Sequence, residues 1–590
     1  MSDYDPVNVN VDVLVIGGGL GGCRAALRAR ELGASVALVE KAQVARAGPM
    51  TYVHSQFAPD RLLEGDELNT WVEEFVVGSN YLADQDWTAM FLRDAYFRFR
   101  ELIDMGVPYA RSPDGNLKYV KVRGHKIGTT LGADGRACME VMRKAMKRAR
   151  VRLFEKVASL DLLTLDGLHP TKEGVCGAVG VHVQTGVPHV FRAKAVLLCT
   201  GPFYPRMHYA FSDHIPGDGH RMAYRAGAEL AGMEFGQFAA WSYFNKTFFT
   251  PGQAKIQGIG AHFKNRLGER FMSGYDPIWG EQTGLIQMAR GIITENIEGR
   301  GPCYVDMRHV PTADIEMLYQ VAPTVGRAFK EFGVDPARDT LTVNPMMVLA
   351  SNSSSGLRIG LDGETNVPGL YAAGACTCLP HMMAGISGSA ISSASLVTGY
   401  RAAGAMAARA ASLGRLPRNT RQVDDAISAF YAPRHKFRLT RPADAHLEIG
   451  RVTGEATFAL FKNAARIQHV REELARIEAD LLPKVYAPDL HELVKAHDAR
   501  TYLEVCKLVT SAMLERTESR AELFRADYPF RDNDRWLKWL MLSAPGEDLA
   551  APPRVTHWDL PFERWPIKPP RGIEPSTYGV PERFREAQSA

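Results

Sequence analysis

The sequence predicts an α/β protein built on a dinucleotide-binding sheet, and three stretches carry that reading. They are a glycine-rich strand–turn–helix near the N-terminus, a second buried strand closing on an acidic residue, and a late buried strand at "TNVPGLYAAGA". In "DVLVIGGGLGG" (12–22) an apolar run through Val13 and Ile16 breaks into Gly17, Gly18, Gly19, Leu20, Gly21 and Gly22, and "CRAALRARELG" continues as a helix. Gly17-x-Gly19-x-x-Gly22 matches the dinucleotide fingerprint in the strand–turn–helix context it requires. The first glycine allows the tight turn, the second lets a pyrophosphate approach the backbone, and the third lets helix and strand pack closely. Free N–H groups and the positive dipole end of the helix then face the phosphates. The next strand, "ASVALVEKA", ends in Glu40, the position of a carboxylate that accepts from ribose hydroxyls. These residues specify a dinucleotide but do not separate FAD from NAD.

Bulk properties narrow the class. A chain of 590 residues is long enough for two to four domains. Its formal charge of +4 gives no case for nucleic acid or an anionic membrane. "MSDYDPVNVN" is polar and runs straight into the first strand, so no signal peptide is expected. Gly or charge interrupts the apolar stretches before they could span a bilayer, so no membrane insertion is expected and a cytoplasmic location is. The eight cysteines are scattered and fit no zinc or iron–sulfur spacing. They read as buried thiols, with Cys376 and Cys378 the one close pair that could serve redox chemistry.

Along the chain, residues 1–240 hold the first part of the nucleotide domain. "WVEEFVVGSNY", "TAMFLRDAYFRFRELIDMG" and "RACMEVMRKAMKRA" read as helices. Strands at "VRLFEKVASLDLL", "VCGAVGVHVQTG" and "HVFRAKAVLLCTG" suggest a meander returning to the nucleotide sheet. The mixed pattern over 241–344 predicts an inserted α+β capping domain. Residues 345–415 return to the nucleotide domain and end in a long helix of small residues, "SGSAISSASLVTGYRAAGAMAARAASLG". A helical domain follows over 420–544, including the amphipathic "RIQHVREELARIEADL". Residues 545–590, proline-rich with interspersed aromatics, read as an extended tail.

Further motifs carry a family resemblance. They are Thr200-Gly201 after a strand, "GDGHRMAYRAGAELAGMEFGQF" (217–238), "GERFM", "EGRGPCYVDMRH" and "MLERTESRAELFRADYPFRDNDRWL" (513–537). Together they resemble the flavoproteins of fumarate reductase, succinate dehydrogenase, L-aspartate oxidase and, nearest, the adenylylsulfate reductase alpha subunit, over residues 10 to about 542. The resemblance implies FAD on a Rossmann-like domain with an inserted cap and a helical C-terminal domain. It places the pyrophosphate on Gly17–Gly22 and the adenosine on Glu40 and Lys41. Arg46, Ala47, Gly48, Met50 and Ser55 would run past the flavin ring. Thr200, Gly201 and Asp218 would complete the cradle, and Gly374, Ala375, Ala390 and Ile391 would approach from the late segment. Ala375 stands where relatives carry the acid that binds the ribityl chain. Gly48 replaces the histidine of covalent flavin attachment, which implies non-covalent FAD, with no metal or iron–sulfur cluster in this chain.

The same resemblance shapes the substrate question. Five positions that bind or protonate a dicarboxylate in fumarate reductases are changed here. Gln-Phe-His becomes "QFA" at Ala239, and Arg-Gly-Glu-Gly becomes "QGIG" with Ile259 at the acid. The Arg-Asp helix start aligns with Leu285, His-Tyr-x-x-Gly-Gly becomes "LASNSSSG", and Gly385 replaces the arginine of the last element. A dicarboxylate site needs cations and an acid donor, so succinate and fumarate are not expected substrates. His54, Trp241, Asn245 and His381 are the candidate catalytic residues, His54 first, with Tyr243, His262, Asn352, Met382, Met383 and Ile386 around them. Arg290 reads as a surface or interface arginine. The expected activity is two-electron redox chemistry on an organic substrate, with electrons exchanged with a separate ferredoxin-like iron–sulfur subunit. Adenylylsulfate reductase, a self-contained oxidase using oxygen, and a flavin-binding protein without turnover are the alternatives. Trp558, Phe562, Trp565 and Tyr578 in the tail are expected to hold the iron–sulfur subunit, or failing that a second copy of the chain.

Overall fold

A computed structural model describes residues 5–53, 55–121, 127–204, 215–243, 252–277, 279–351, 354–380, 388–414, 416–435 and 440–576. Its centre is a seven-stranded sheet. Strand Val7–Ile16 pairs in parallel with Val36–Glu40 on one side and Pro188–Leu198 on the other, and Arg152–Glu155 extends the first edge. The other edge of Pro188–Leu198 is shared. Its first half takes the antiparallel meander of Val175–His182 and Val157–Thr164, and its last three residues pair in parallel with Leu370–Ala372. The register aligns Ile16 with Val39 and Leu198, and Leu198 with Ala372. Strand ends far apart in sequence therefore finish at one level, where ligands of such sheets bind.

Burial explains the unbroken apolar strand. Leu14 and Ile16 face one core, with Phe57, Trp71 and Phe75; Val13 and Val15 face the other, with Ala25, Ala26, Met142 and Met406. A strand covered on both faces has no use for alternation with polar residues. The helix Gly388–Ser412 crosses the helix Leu20–Glu31 at glycine-to-backbone distance: a Cβ on Gly399 would lie 2.3 Å from Gly21 O. Small residues in the late helix serve that approach.

The inserted unit is an antiparallel sheet ordered Gln237–Tyr243, Thr340–Leu349, Cys303–Asp306 and His262–Lys264. Its strands begin and end a few residues outside the 241–344 expected. Helices Leu285–Ile297, Thr312–Val321 and Pro323–Phe332 cover a core of Trp241, Tyr243, Phe263, Val305 and Phe329. In the C-terminal domain, Ala464–Arg476 buries Ile467, Val470 and Leu474 as its periodicity requires, beside the long helix Leu490–Glu515.

The "RTESR" motif is a buried ionic joint. Arg516 Nε donates to Glu234 Oε1 at 2.8 Å, and its Nη1 to Glu518 Oε1 at 2.7 Å. Arg520 donates from two nitrogens to both oxygens of Glu518, and all four side chains are fully buried. This ties the "MEF" turn of the flavin domain to the C-terminal domain.

The described part of the tail is docked on its own chain. Strand Arg554–Asp559 pairs with Lys538–Ser543, and Ile573–Pro575 with Phe530–Asp532. Trp558 meets Trp539 edge-on at 4.7 Å, and Trp565, 2% exposed, donates its Nε1 to Asp86. Gln85 and Ile567 exchange two hydrogen bonds. Trp565 is buried against the chain, whereas Trp558 and Phe562 are half-buried; Tyr578 lies outside the described residues.

Candidate active site

The fingerprint glycines divide their work by what surrounds them. Gly17 has φ +111°, and a Cβ there would lie 2.2 Å from Cys199 O; one on Gly22 would lie 2.0 Å from Gly17 O. Both are demanded by the fold itself. Gly19 is different: a Cβ there meets nothing within 4 Å. It precedes the helix Leu20–Glu31, which has no side-chain cap, so the open space lies before N–H groups that the helix leaves unpaired.

Glu40 closes the next strand. Its Oε2 accepts from Gly18 N at 2.7 Å and its Oε1 from Ala42 N at 2.9 Å. Burial raises its carboxyl above the ordinary range, against the pull of those donors and Lys41. Lys41 Nζ donates to Asp218 Oδ2 at 3.1 Å and Asp498 Oδ1 at 2.5 Å. Burial alone would lower the Lys41 ammonium and raise the Asp218 carboxyl. The pairing outweighs both, holding Lys41 above and Asp218 well below their usual ranges. Asp498 was not legible in sequence, lying 457 residues from Lys41 on a helix with no motif at that point.

Two polar atoms of this cradle are buried without a hydrogen-bond partner among the described residues: Thr200 Oγ1 and Asp218 Oδ1. An unpaired buried oxygen costs roughly 1–3 kcal/mol unless something satisfies it. Gly201 turns away at φ +76°, and Gly374, at φ +71°, donates its N–H to Thr398 Oγ1 at 3.0 Å. Ala375 follows Gly374, and Ala390 and Ile391 open the long helix, Ala390 fully buried. The segment after Glu40 is tied in by Ala45 N donating to Gly18 O at 3.1 Å. Beyond it Arg46 is exposed, Ala47 and Gly48 are half-buried, and Met50 and Ser55 are buried. The structure thus gathers the expected cofactor residues at the ends of the parallel strands.

The candidate catalytic residues fare differently. His54, Asn245 and His381 lie outside the described residues, as do Asn352, Met382, Met383, Gly385 and Ile386. Trp241 is fully enclosed in the cap core, edge-on to Phe263 at 5.0 Å, which gives the indole a packing role. Tyr243 is buried beside Phe329, and His262 stacks on His309 at 3.7 Å. Arg290 is not a surface residue: it is 6% exposed, with its guanidinium 4.3 Å from the Phe524 ring. Ile259 and Leu285 pack against the cap's apolar core. The eight cysteines are buried free thiols, and burial pushes Cys376 up to about 11 and Cys378 up to about 12. Among the described residues, no His, Cys, Asp and Glu group is placed to hold a metal ion.

A family profile described as "FAD binding domain" matches residues 12–391, and one described as "Fumarate reductase flavoprotein C-term" matches 448–571. The chain belongs to the fumarate reductase and succinate dehydrogenase flavoprotein family. This flavoprotein is an FAD-dependent oxidoreductase. It is 27% identical to the L-aspartate oxidase of Streptomyces coelicolor, covering 90% of this chain and 91% of that one. It is 26% identical to the fumarate reductase flavoprotein subunit of Mycobacterium tuberculosis, covering 94% and 98%. The solved E. coli quinol fumarate reductase FrdA shares its fold, with a TM-score of 0.83 at 21% identity over 96% and 99% of the two chains. The flavoprotein's residues fit FAD on their own evidence. Gly19 leaves room for a pyrophosphate, Glu40 sits where a ribose carboxylate is needed, and the unpartnered Thr200 and Asp218 oxygens await a ligand. Among the described residues no helix is long and apolar enough to cross a membrane.

Proposed function

We propose that this flavoprotein holds FAD non-covalently and carries out two-electron redox chemistry on an organic substrate other than succinate or fumarate. We further propose that it exchanges electrons with a separate iron–sulfur protein. Ile259 and Leu285 carry the substrate reading. They align with the acid and the arginine of the dicarboxylate site, yet both are apolar and packed into the cap core. Each charged hydrogen bond forgone is worth about 1.5–3 kcal/mol, so a dicarboxylate would be held and protonated poorly. Gly48 supports non-covalent attachment, since it offers no nucleophile to a flavin. The name of the Mycobacterium tuberculosis relative, a flavoprotein subunit, supports a partner protein.

When bound, FAD supplies the two-electron chemistry. The chain's own residues bind and orient it: Gly17–Gly22 at the pyrophosphate, Glu40 at the ribose, Thr200 and Asp218 in the cradle, and the Gly388–Ser412 helix N-terminus toward the ring. His54 is the proton carrier in this reading, since imidazole exchanges protons near neutral pH. In stopped flow, the reduced FAD-loaded protein should not be reoxidised by fumarate, nor the oxidised protein reduced by succinate. Robust turnover with either would overturn the substrate reading; AMP plus sulfite and oxygen, run in parallel, identify the alternatives. His54→Ala should keep its FAD and lose about 10²-fold in turnover of whatever substrate is found.

A further inference from the structure

Strand Val157–Thr164 and the helices Asp218–Ala226, Thr420–Tyr431 and Leu490–Glu515 enclose a cavity of about 330 Å³. Glu40, Lys41, Thr200 and Asp218 do not line it. It adjoins the cradle through His497, which lines the cavity while its Nε2 lies 3.7 Å from Asp218 Oδ1.

Three guanidiniums line this space. Arg221 and Arg225, one turn apart on their helix, are committed: Arg221 Nε donates to Glu504 at 2.9 Å and Arg225 Nε to Asp161 at 3.0 Å. Arg500 forms no ion pair among the described residues. Burial lowers its pKa, with Glu504 and Glu478 opposing that effect and the repulsion of Arg221 and Arg225 adding to it. The other lining carboxylate, Asp425, has a side chain 72% exposed that approaches Arg421 instead. The cavity therefore presents one guanidinium held in no ion pair among the described residues, beside two that are paired. Leu160, Ala426, Phe430 and Ala496 supply apolar wall. Its size suits a small molecule.

We propose that this cavity binds a small organic anion, its oxyanion head on Arg500 with Arg221 and Arg225 behind, and its apolar body against Phe430 and Leu160. A guanidinium binds the planar carboxylate and the phosphate group alike, so the head is either of these.

Calorimetric titration of the full-length, FAD-loaded protein tests this with three probes: inorganic phosphate, benzoate and AMP. At least one should bind saturably at one site per chain, with the flavin absorbance unchanged. Response to benzoate alone assigns a carboxylate head, and response to phosphate or AMP assigns a phosphate. Arg500→Gln should weaken that binding about tenfold or more, the loss expected of one charge-assisted hydrogen bond. Ala429→Trp, at the exposed rim, should block it without removing a cation and with little threat to folding. No saturable binding of any probe up to about 10 mM, release of FAD in step with binding, or unchanged affinity in either folded variant would overturn the proposal.

Discussion

The buried polar groups around Arg516 and those around Asp218 are built from the same chemistry and end differently. In the first cluster the guanidiniums of Arg516 and Arg520 spend their donors on Glu234, Glu518 and backbone carbonyls, leaving only Oε2 of Glu234 unpartnered among the described residues. In the second, Lys41 is engaged with Asp218 and Asp498, yet a threonine hydroxyl and the Asp218 oxygen that faces His497 at 3.7 Å form no hydrogen bond among the described residues. Both clusters arise from motifs of the same family pattern, and the pattern does not say which one touches a ligand. The first joins two domains almost wholly through its own donors and acceptors, whereas the second leaves a hydroxyl as well as a carboxylate oxygen without a hydrogen bond among the described residues.

That contrast can be broken most sharply at Arg516. Arg516→Met strands the carboxylate of Glu234 in the interior while Glu518 keeps Arg520, and should cost about 3–5 kcal/mol in urea-induced unfolding, with low soluble yield. A variant that unfolds at the wild-type urea concentration would remove the joint from the stability account.

The glycines of the cradle test the other half. Gly17→Ala puts a methyl 2.2 Å from Cys199 O at a positive φ, so the chain should fail to fold whether or not FAD is supplied. Gly19→Ala meets no protein atom and should fold with an unchanged circular dichroism spectrum. The added methyl intrudes on the pyrophosphate and should cost about 1–3 kcal/mol, a loss of roughly 5- to 150-fold in FAD affinity on titration of the apoprotein. Equal FAD affinity would mean the open space is not where the phosphates sit.

A smaller effect is expected in the tail. Trp565→Ala removes a buried anchor, so limited proteolysis should cut within residues 545–576 while the main unfolding transition moves by about 1 kcal/mol. FAD content should not change.

A pH-dependent effect concerns Lys462, which is fully buried and donates to Gln237 Oε1 and Ala459 O. Burial, with Arg290 and Arg525 nearby, lowers its ammonium from the ordinary 10.5 to about 7. Between those values the unfolded chain binds the proton and the folded one does not, so this residue's penalty shrinks as pH rises. The stability advantage of Lys462→Met over wild type should be greatest at and below pH 7 and fade toward pH 10.5. An advantage independent of pH would show that Lys462 titrates normally.

Much of the flavin half was legible because its determinants are local. Strand, turn, helix and acid lie within residues 12–40, and each is dictated by backbone geometry that only certain residues allow. The long small-residue helix was legible for a related reason, since close backbone approach leaves no room for side chains. The docking of the tail was not legible, because aromatics among prolines look the same in sequence whatever they pack against; Trp558 on Trp539 and Trp565 on Asp86 are tertiary facts. The burial of Arg290 and Trp241 was not legible for the same reason, since Arg290 packs on Phe524 and Trp241 lies on a strand whose partner is about a hundred residues away. Of the candidate site, the expected cofactor residues were named from glycines and acids at fixed spacing. The substrate residues had no such local rule to announce them.

The pairing of Leu370–Ala372 with Pro188–Leu198, and of Gly399 against Gly21, has a consequence for synthesis. The first strand leaves the ribosome hundreds of residues before the segment that completes its sheet and covers its first helix. At about 5–20 residues per second, the nascent chain holds an unfinished nucleotide site for roughly 20–70 s. Once made, the apolar strand Pro188–Leu198 lacks Leu370–Ala372 until the end of that interval, and the sheet lacks its long covering helix throughout. FAD cannot rescue the nascent chain early, because its site does not yet exist. Production of this protein is therefore sensitive to translation speed and chaperone supply well before cofactor supply can matter.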